Sequence, residues 1–328
     1  MMMIRNLMAT AGALATLALM TAAPVAAQKW PTDTVRVIVP FTAGSATDLV
    51  PRIVFEEVQK QTGQTFIVDN RPGGAFTLGV NPVMRAEPDG KTILVHSNAF
   101  ITTPAVQPVT WDPSKDFAGV TPLASVPQVL VIAPSKKIDT VQELVKLARA
   151  KPGSLNYAAA GIGSPPHMTM ERFRLAADFT GQLVPFKGAP EALNEVAAGR
   201  VDVYFSPAAP AMGLIKSGQL KPLAVSSLKR SASFPDVPTT TEAGFKGSDF
   251  DFYVSMFVPK KTSPELIKAM HAVIAKALAS ETVQKRLAQI GAEPALMDSA
   301  AFDKRIAEEA KIAMEIAKTA NISAAKPK

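Results

Sequence analysis

The chain has no cysteine and only three histidines among its 328 residues, and both shortages narrow the chemistry open to it. Without thiols there is neither a disulfide framework nor the cysteine that lipid attachment requires. His96, His167 and His271 form no H-x-x-x-H pattern, so no metal centre and no cofactor are expected. Tyrosine and tryptophan are scarce and no run of five like charges occurs, which argues against nucleic acid as a partner. The formal net charge is +7, one unit of it from Arg5, and the basic residues are scattered. Such a surface raises the local concentration of anions without defining a site for one.

What is present begins with an export leader at residues 1–27. Arg5 supplies the positive start, residues 7–20 the apolar centre, and Val25, Ala26 and Ala27 the small-residue cleavage site, so the mature chain is expected to start at Gln28. The apolar run is short for a membrane span. The expected location is therefore outside the cytoplasm, as a soluble protein without a lipid anchor. The roughly 300 residues that remain suffice for two domains with separate cores.

From Gln28 to about Phe117, apolar strands alternate with helical stretches, the signature of a parallel α/β sheet. Strands are expected at 35–39, 65–68 and 92–95, and helices at 50–61 and 77–86. Pro51 should lie at the helix start or bend it. His96, Ser97 and Asn98 read as a polar loop, and 104–117 as irregular. The apolar run 128–133 reads as a crossing into a second domain and 252–258 as the return. The expected organisation is domain 1 from 28–125 and 254–328, and domain 2 from 126–253. Thr140 and Glu143 have capping-box spacing ahead of a helix at 141–150. Further strands are expected at 155–158, 182–186, 201–205 and 223–226, with loop from 231 to 247 and helices closing the chain.

The segment from Pro40 to Asp48 joins a strand to a helix start through a small, glycine-containing turn. Helix starts leave N–H groups unpaired and carry partial positive charge, so an anion is accommodated there without a buried cation. Simple capping by Ser45, Thr47 or Asp48 is the plainer alternative. The loop 159–167 repeats the pattern, with Ser164 as cap and Pro165 at the first helical position. Its two glycines match neither standard nucleotide fingerprint. Lys187, Gly188, Ala189 and Pro190 repeat it again.

Five segments in order, 40–48, 69–73, 156–164, 185–190 and 235–239, carry a resemblance covering about Trp30 to Ile322. The chain resembles the Bug (TctC-like) periplasmic solute-binding proteins of tripartite tricarboxylate transporters. The resemblance implies a two-domain, type II Venus-flytrap fold, each domain a largely parallel sheet flanked by helices, closing on a small carboxylate and presenting it to membrane transporter subunits. It implies that Phe41, Thr42, Ala43, Gly44 and Ser45 face Ala160, Gly161 and Ser164, with Asp48 organising the first loop. Ser97, Asn98, Lys187, Asp202 and Phe205 complete the candidate ligand-binding set. Asp202 suits backbone amides better than an anionic ligand, and Lys187 would offer a charge to a distal carboxylate. Ser45, Ala75 and Phe76 stand where the family carries more glycine, and Phe186 where it often carries tyrosine.

Two other readings are weighed. A sensor presenting its ligand to a receptor kinase would share the same pocket. A hydrolase would need Ser164 and His167, with Asp178 orienting the ring, but no G-x-S-x-G elbow is present and no enzyme is expected.

Overall fold

A computed structural model of the chain describes residues 30–322; the leader read at 1–27 lies outside them. The described residues build two sheets. The larger lobe holds β1 (Val35–Val39), β2 (Phe66–Asn70), β3 (Thr92–Ser97), β4 (Phe117–Ser125), β10 (Tyr253–Pro259) and β11 (Glu293–Pro294), in the order β11-β4-β10-β3-β1-β2. The smaller lobe holds β5 (Gln128–Ile132), β6 (Leu155–Ala159), β7 (Gly181–Pro185), β8 (Val203–Pro207) and β9 (Lys221–Val225), in the order β7-β6-β8-β5-β9.

Most strands of each sheet point the same way, as expected: β1, β2, β3 and β4 run opposite to β10 and β11 in the larger lobe, and β6, β7, β8 and β9 run opposite to β5 in the smaller. In each, three neighbouring strands run parallel, β3-β1-β2 and β7-β6-β8, and the others pair antiparallel. The reason lies in the connections. β10 returns to the larger lobe between β3 and β4 and runs against both, and β5 enters the smaller lobe running against β8 and β9. The parallel trios keep all their carboxyl ends on one edge, where ligands gather in open α/β sheets.

Helices follow the strands: α1 (Ala46–Thr62), α2 (Thr77–Met84) and α3 (Ala99–Val106) in the larger lobe, then α4 (Val141–Ala150), α5 (Pro165–Ala176), α6 (Ala189–Ala197) and α7 (Ala208–Lys216) in the smaller. α8 (Pro264–Leu278), α9 (Glu281–Gln289) and α10 (Ser299–Thr319) close the chain. α1 begins a turn earlier than expected and carries Pro51 inside it. Its buried stripe of Val50, Ile53, Val54 and Val58 outweighs one lost backbone bond. α3 replaces part of the expected irregular segment; nearly every side chain on it is buried, so it shows no amphipathic stripe to read.

Phe100 on α3 anchors the larger core, its ring 4.6 Å from Phe257, 4.9 Å from Phe117 and stacked 5.9 Å from Trp111. The final helix is tied to the return crossing. Arg305 bonds Asp251 at 2.9 Å and Glu309 at 2.6 Å, and its guanidinium lies 4.0 Å over the Tyr253 ring. Among the described residues no helix is long and apolar enough to cross a membrane.

The Thr140 hydroxyl accepts the Glu143 amide at 3.1 Å while the Glu143 carboxylate accepts the Thr140 amide at 3.3 Å, the reciprocal cap the spacing implied. Replacing Thr140 with Ala should lower stability by about 1 kcal/mol. A urea titration reads this as a lower midpoint at unchanged slope; an unmoved midpoint would mean that the cap contributes nothing.

Candidate ligand-binding site

The loops at the carboxyl ends of β1 and β6 face one another across a cleft between the lobes. A cavity of about 480 Å³ opens there, lined from the larger lobe by Pro40, Thr42, Phe76 and Gln107 and from the smaller by Ala160, Gly161, Phe186 and Lys187. Beneath it, Phe41, Ser45, Ala46, Thr47 and Ser97 meet Ala160, Ser164, Gly188 and Ala189 around a space of about 20 Å³. That space admits one water-sized group, such as a single carboxylate oxygen.

Three helix starts converge on this deep end. Ser45, Ser164 and Gly188 stand at the N-cap positions of α1, α5 and α6, none of them closing the helix start with a side-chain bond, and all three line the same space. Their partial positive charges add where no cationic side chain stands. They do not contribute equally. Pro165 and Pro166 open α5 without N–H groups, so donors on that side come from the loop before it. Among the described residues the amides of Ala43, Ala160 and Gly161 have no backbone acceptor. The Ser45 hydroxyl is buried and unpartnered, while the Ser164 hydroxyl donates to the Gly161 carbonyl at 2.6 Å.

The first loop is held by the buried Asp48 carboxylate. It accepts the Gly44 amide at 2.9 Å, Arg52 Nε at 2.8 Å and Asn70 Nδ2 at 2.9 Å, and Asn70 also reaches the Phe41 carbonyl at 3.1 Å. The Gly44 amide is therefore committed to the loop itself. Asn70 is a positioning residue that single-position reading passed over, although it lies in one of the quoted segments.

The lobes are also linked directly. Thr102 Oγ1 donates to the Gly163 carbonyl at 2.7 Å and Gln107 Nε2 to the Ile162 carbonyl at 2.6 Å, both from the α3 region to the glycine loop. Nothing in the sequence pattern marked Thr102 or Gln107.

Phe76 enters the cleft with a left-handed backbone, φ 71° following Ala75 at φ 50°. Two such residues in succession cost on the order of 1–3 kcal/mol each and persist only where surroundings enforce them. The ring is enforced by Phe41, 4.9 Å away, and His96, 4.9 Å away.

With this geometry, residues 50–322 match the family model described as TctC, Tripartite tricarboxylate transporter family receptor. The chain belongs to this family. It is 31% identical over 280 residues to protein BugT of Bordetella pertussis, covering 84% of this chain and 85% of that one. Among solved structures it is similar to R. palustris Rpa4515 with adipate, at 29% identity and TM-score 0.85, covering 90% of this chain and 100% of the other. It is also similar to MatC of Rhodopseudomonas palustris with bound malate, at 27% identity and TM-score 0.79, covering 88% of this chain and 99% of the other.

Several residues of this TctC-family chain stand elsewhere than the sequence suggested. His96 and Ser97 end β3 rather than forming a loop, and both are buried; Asn98 caps α3, donates to the Asp251 carbonyl at 2.9 Å and lines a separate hollow beside α10. Asp202 lies at the amino end of β8, away from the cleft, where it accepts the Asn156 amide at 2.8 Å and pairs with Lys136 at 2.5 Å. Phe205 packs 5.6 Å from Phe173 in the smaller lobe's core, because its register places it beside Leu130 rather than at the strand's carboxyl end. Lys187 is exposed at the cavity rim.

The hydrolase arrangement is not assembled. Ser164 spends its proton on Gly161, His167 Nδ1 accepts the Gly163 amide at 3.1 Å, and Asp178 lines a different hollow with Arg149.

Both buried histidines are neutral. Burial pushes His96 down to about 3 and His167 down to about 4. Accepting an N–H requires an unprotonated His167 Nδ1, and His96 Nδ1 faces the Ser97 carbonyl at 2.9 Å, leaving Nε2 without a partner. Below about pH 6.5 an unfolded histidine takes up a proton that these folded ones refuse, so stability is complete above that value and falls as pH drops toward the folded values. The expected slope is roughly 1 kcal/mol per pH unit for each ring. Urea midpoints between about pH 7 and pH 5 measure it. His167→Gln, whose amide oxygen accepts the same N–H, should remove about half of this pair's slope; an unaltered slope would rule out a neutral buried His167.

Proposed function

We propose that the protein captures a small carboxylate between its lobes and delivers it to the membrane subunits of a tripartite tricarboxylate-type transporter. The observation that carries this reading is the meeting of three helix starts without side-chain caps at one small interlobe space that no cationic side chain lines. Uncharged donors and helix dipoles stabilise an anion there while leaving it free to depart. The receptor description of the family and the adipate and malate held by two structural neighbours support the same reading.

In this proposal Thr42, Ala43 and Ser45 grip the carboxylate from the larger lobe and Ala160, Gly161 and Ser164 from the smaller, with Phe41 and Ser97 walling the deep end and Asp48 holding the first loop in shape. Residues 28–125 with 254–328 move against 126–253, and closure brings the two sets of donors together. Residues 1–27 export the chain to the periplasm. No bond is made or broken in the ligand, and the protein acts as a monomer.

Gly163 makes closure testable. A Cβ there would lie 2.8 Å from the Thr103 Cα, at the place where the lobes touch. Isothermal titration of the mature protein against mono- and dicarboxylates should give saturable binding to at least one acid, and Gly163→Ala should weaken it by about tenfold or more, roughly 1.4 kcal/mol. No binding across the panel would remove the proposal; unchanged affinity in the variant would remove closure from it.

A further inference from the structure

We propose that the acid this protein takes is a monocarboxylate with an apolar, ring-sized far end, and that Phe76 selects it. The inference rests on the carboxylate-capture reading and deepens it. The deep end of the cleft offers donors to one carboxylate; the space beyond it is walled by Pro40, Pro72, Phe76, Ile162 and Phe186. At about 480 Å³ that space accommodates a small acid carrying one ring.

Phe76 is the centre of this wall. Its ring is fixed on its own lobe by Phe41 and His96, both near 5 Å, and reaches the opposite lobe, where a Cβ on Gly161 would lie 3.6 Å from its Cζ. The chain accepts consecutive left-handed residues at Ala75 and Phe76 to aim it there. An aromatic or cyclic tail set on this ring gains apolar contact and the offset or edge geometry that rings favour.

A second carboxylate in the same place meets the opposite condition. It would surrender water against proline, phenylalanine and isoleucine side chains, and a buried charge without donors is costly. The polar side chains on this cavity do not change that balance. Gln107 Nε2 is bonded to the Ile162 carbonyl, Thr42 belongs to the carboxylate-gripping loop, and Lys187 is exposed at the rim, where a solvated ion pair contributes little.

Titration calorimetry with phenylacetate, hexanoate, adipate and succinate tests the inference, because hexanoate and adipate differ only at the far end. Phenylacetate and hexanoate should each bind at least about tenfold tighter than adipate and succinate. In Phe76→Gly, which suits the positive φ and should fold, phenylacetate should lose about tenfold while adipate stays within about threefold of its own value. Thermal melting of the variant checks its fold. Adipate or succinate binding as tightly as the monocarboxylates, or Phe76→Gly leaving phenylacetate unaffected, overturns the inference and leaves carboxylate capture standing. Binding of none of the four overturns both.

Discussion

A backbone amide withdrawn from water must find an acceptor, and this constraint organises the protein around its cleft. The first turn of every helix has amides without intrahelical partners. Most proteins cap them or leave them in water. Here the starts of α1, α5 and α6 are brought to one buried space, where the Ser45 hydroxyl is also unpartnered. An anionic group arriving there completes the hydrogen bonding of two lobes at once. In the proposed function each lobe alone presents a half-made site, so ligand binding and the approach of the lobes would be favoured by the same bonds.

The supporting structure keeps those donors aimed. Asp48 is buried, yet its charge is not idle: Arg52, Asn70 and the Gly44 amide share it. A carboxylate so committed fixes the loop while its negative charge is already compensated, which limits its repulsion of an incoming acid. At the other side of the larger lobe, Arg305 joins α10 to Asp251 and Tyr253, beside the crossing strands β4 and β10. The last helix is thereby tied to the return path between the lobes, where any closing motion must be absorbed.

The sequence was legible where structure is local. The β1 strand, the Thr140 box and the Ser164-Pro165 helix start are each written in a few adjacent residues. The facing of the 40–48 and 160–164 loops came through resemblance, not through pattern. What escaped is non-local. α3 is buried on nearly all sides and has no polar stripe, and β4, which contains Gly119 and Pro122, was not among the expected strands although β10 pairs along its whole length. Missing α3 meant missing Thr102 and Gln107, whose partners lie more than fifty residues away. Phe205 was misplaced for a related reason, and Asp202, although it takes the backbone amide expected of it, does not belong to the ligand-binding set: strand identity alone does not say which end or which face meets the cleft.

His96 shows how the aromatic wall and the anion site fit together. It is a basic side chain within 5 Å of Phe41 and Phe76, close to the place where a carboxylate is to be held. A charged imidazolium there would pull the acid away from the amides and toward the rings. Complete burial prevents this by keeping the ring neutral, with Nδ1–H given to the Ser97 carbonyl. A neutral imidazole packs edge-on against Phe41 and Phe76 as another flat ring. The wall thus stays apolar despite a titratable member, and the only strong attraction for a carboxylate lies at the helix starts. In the proposed reading, selecting the head of the ligand by backbone donors and its tail by ring contacts divides recognition between two surfaces. In that reading one is fixed by the fold, and the other is carried by side chains, Phe76 above all.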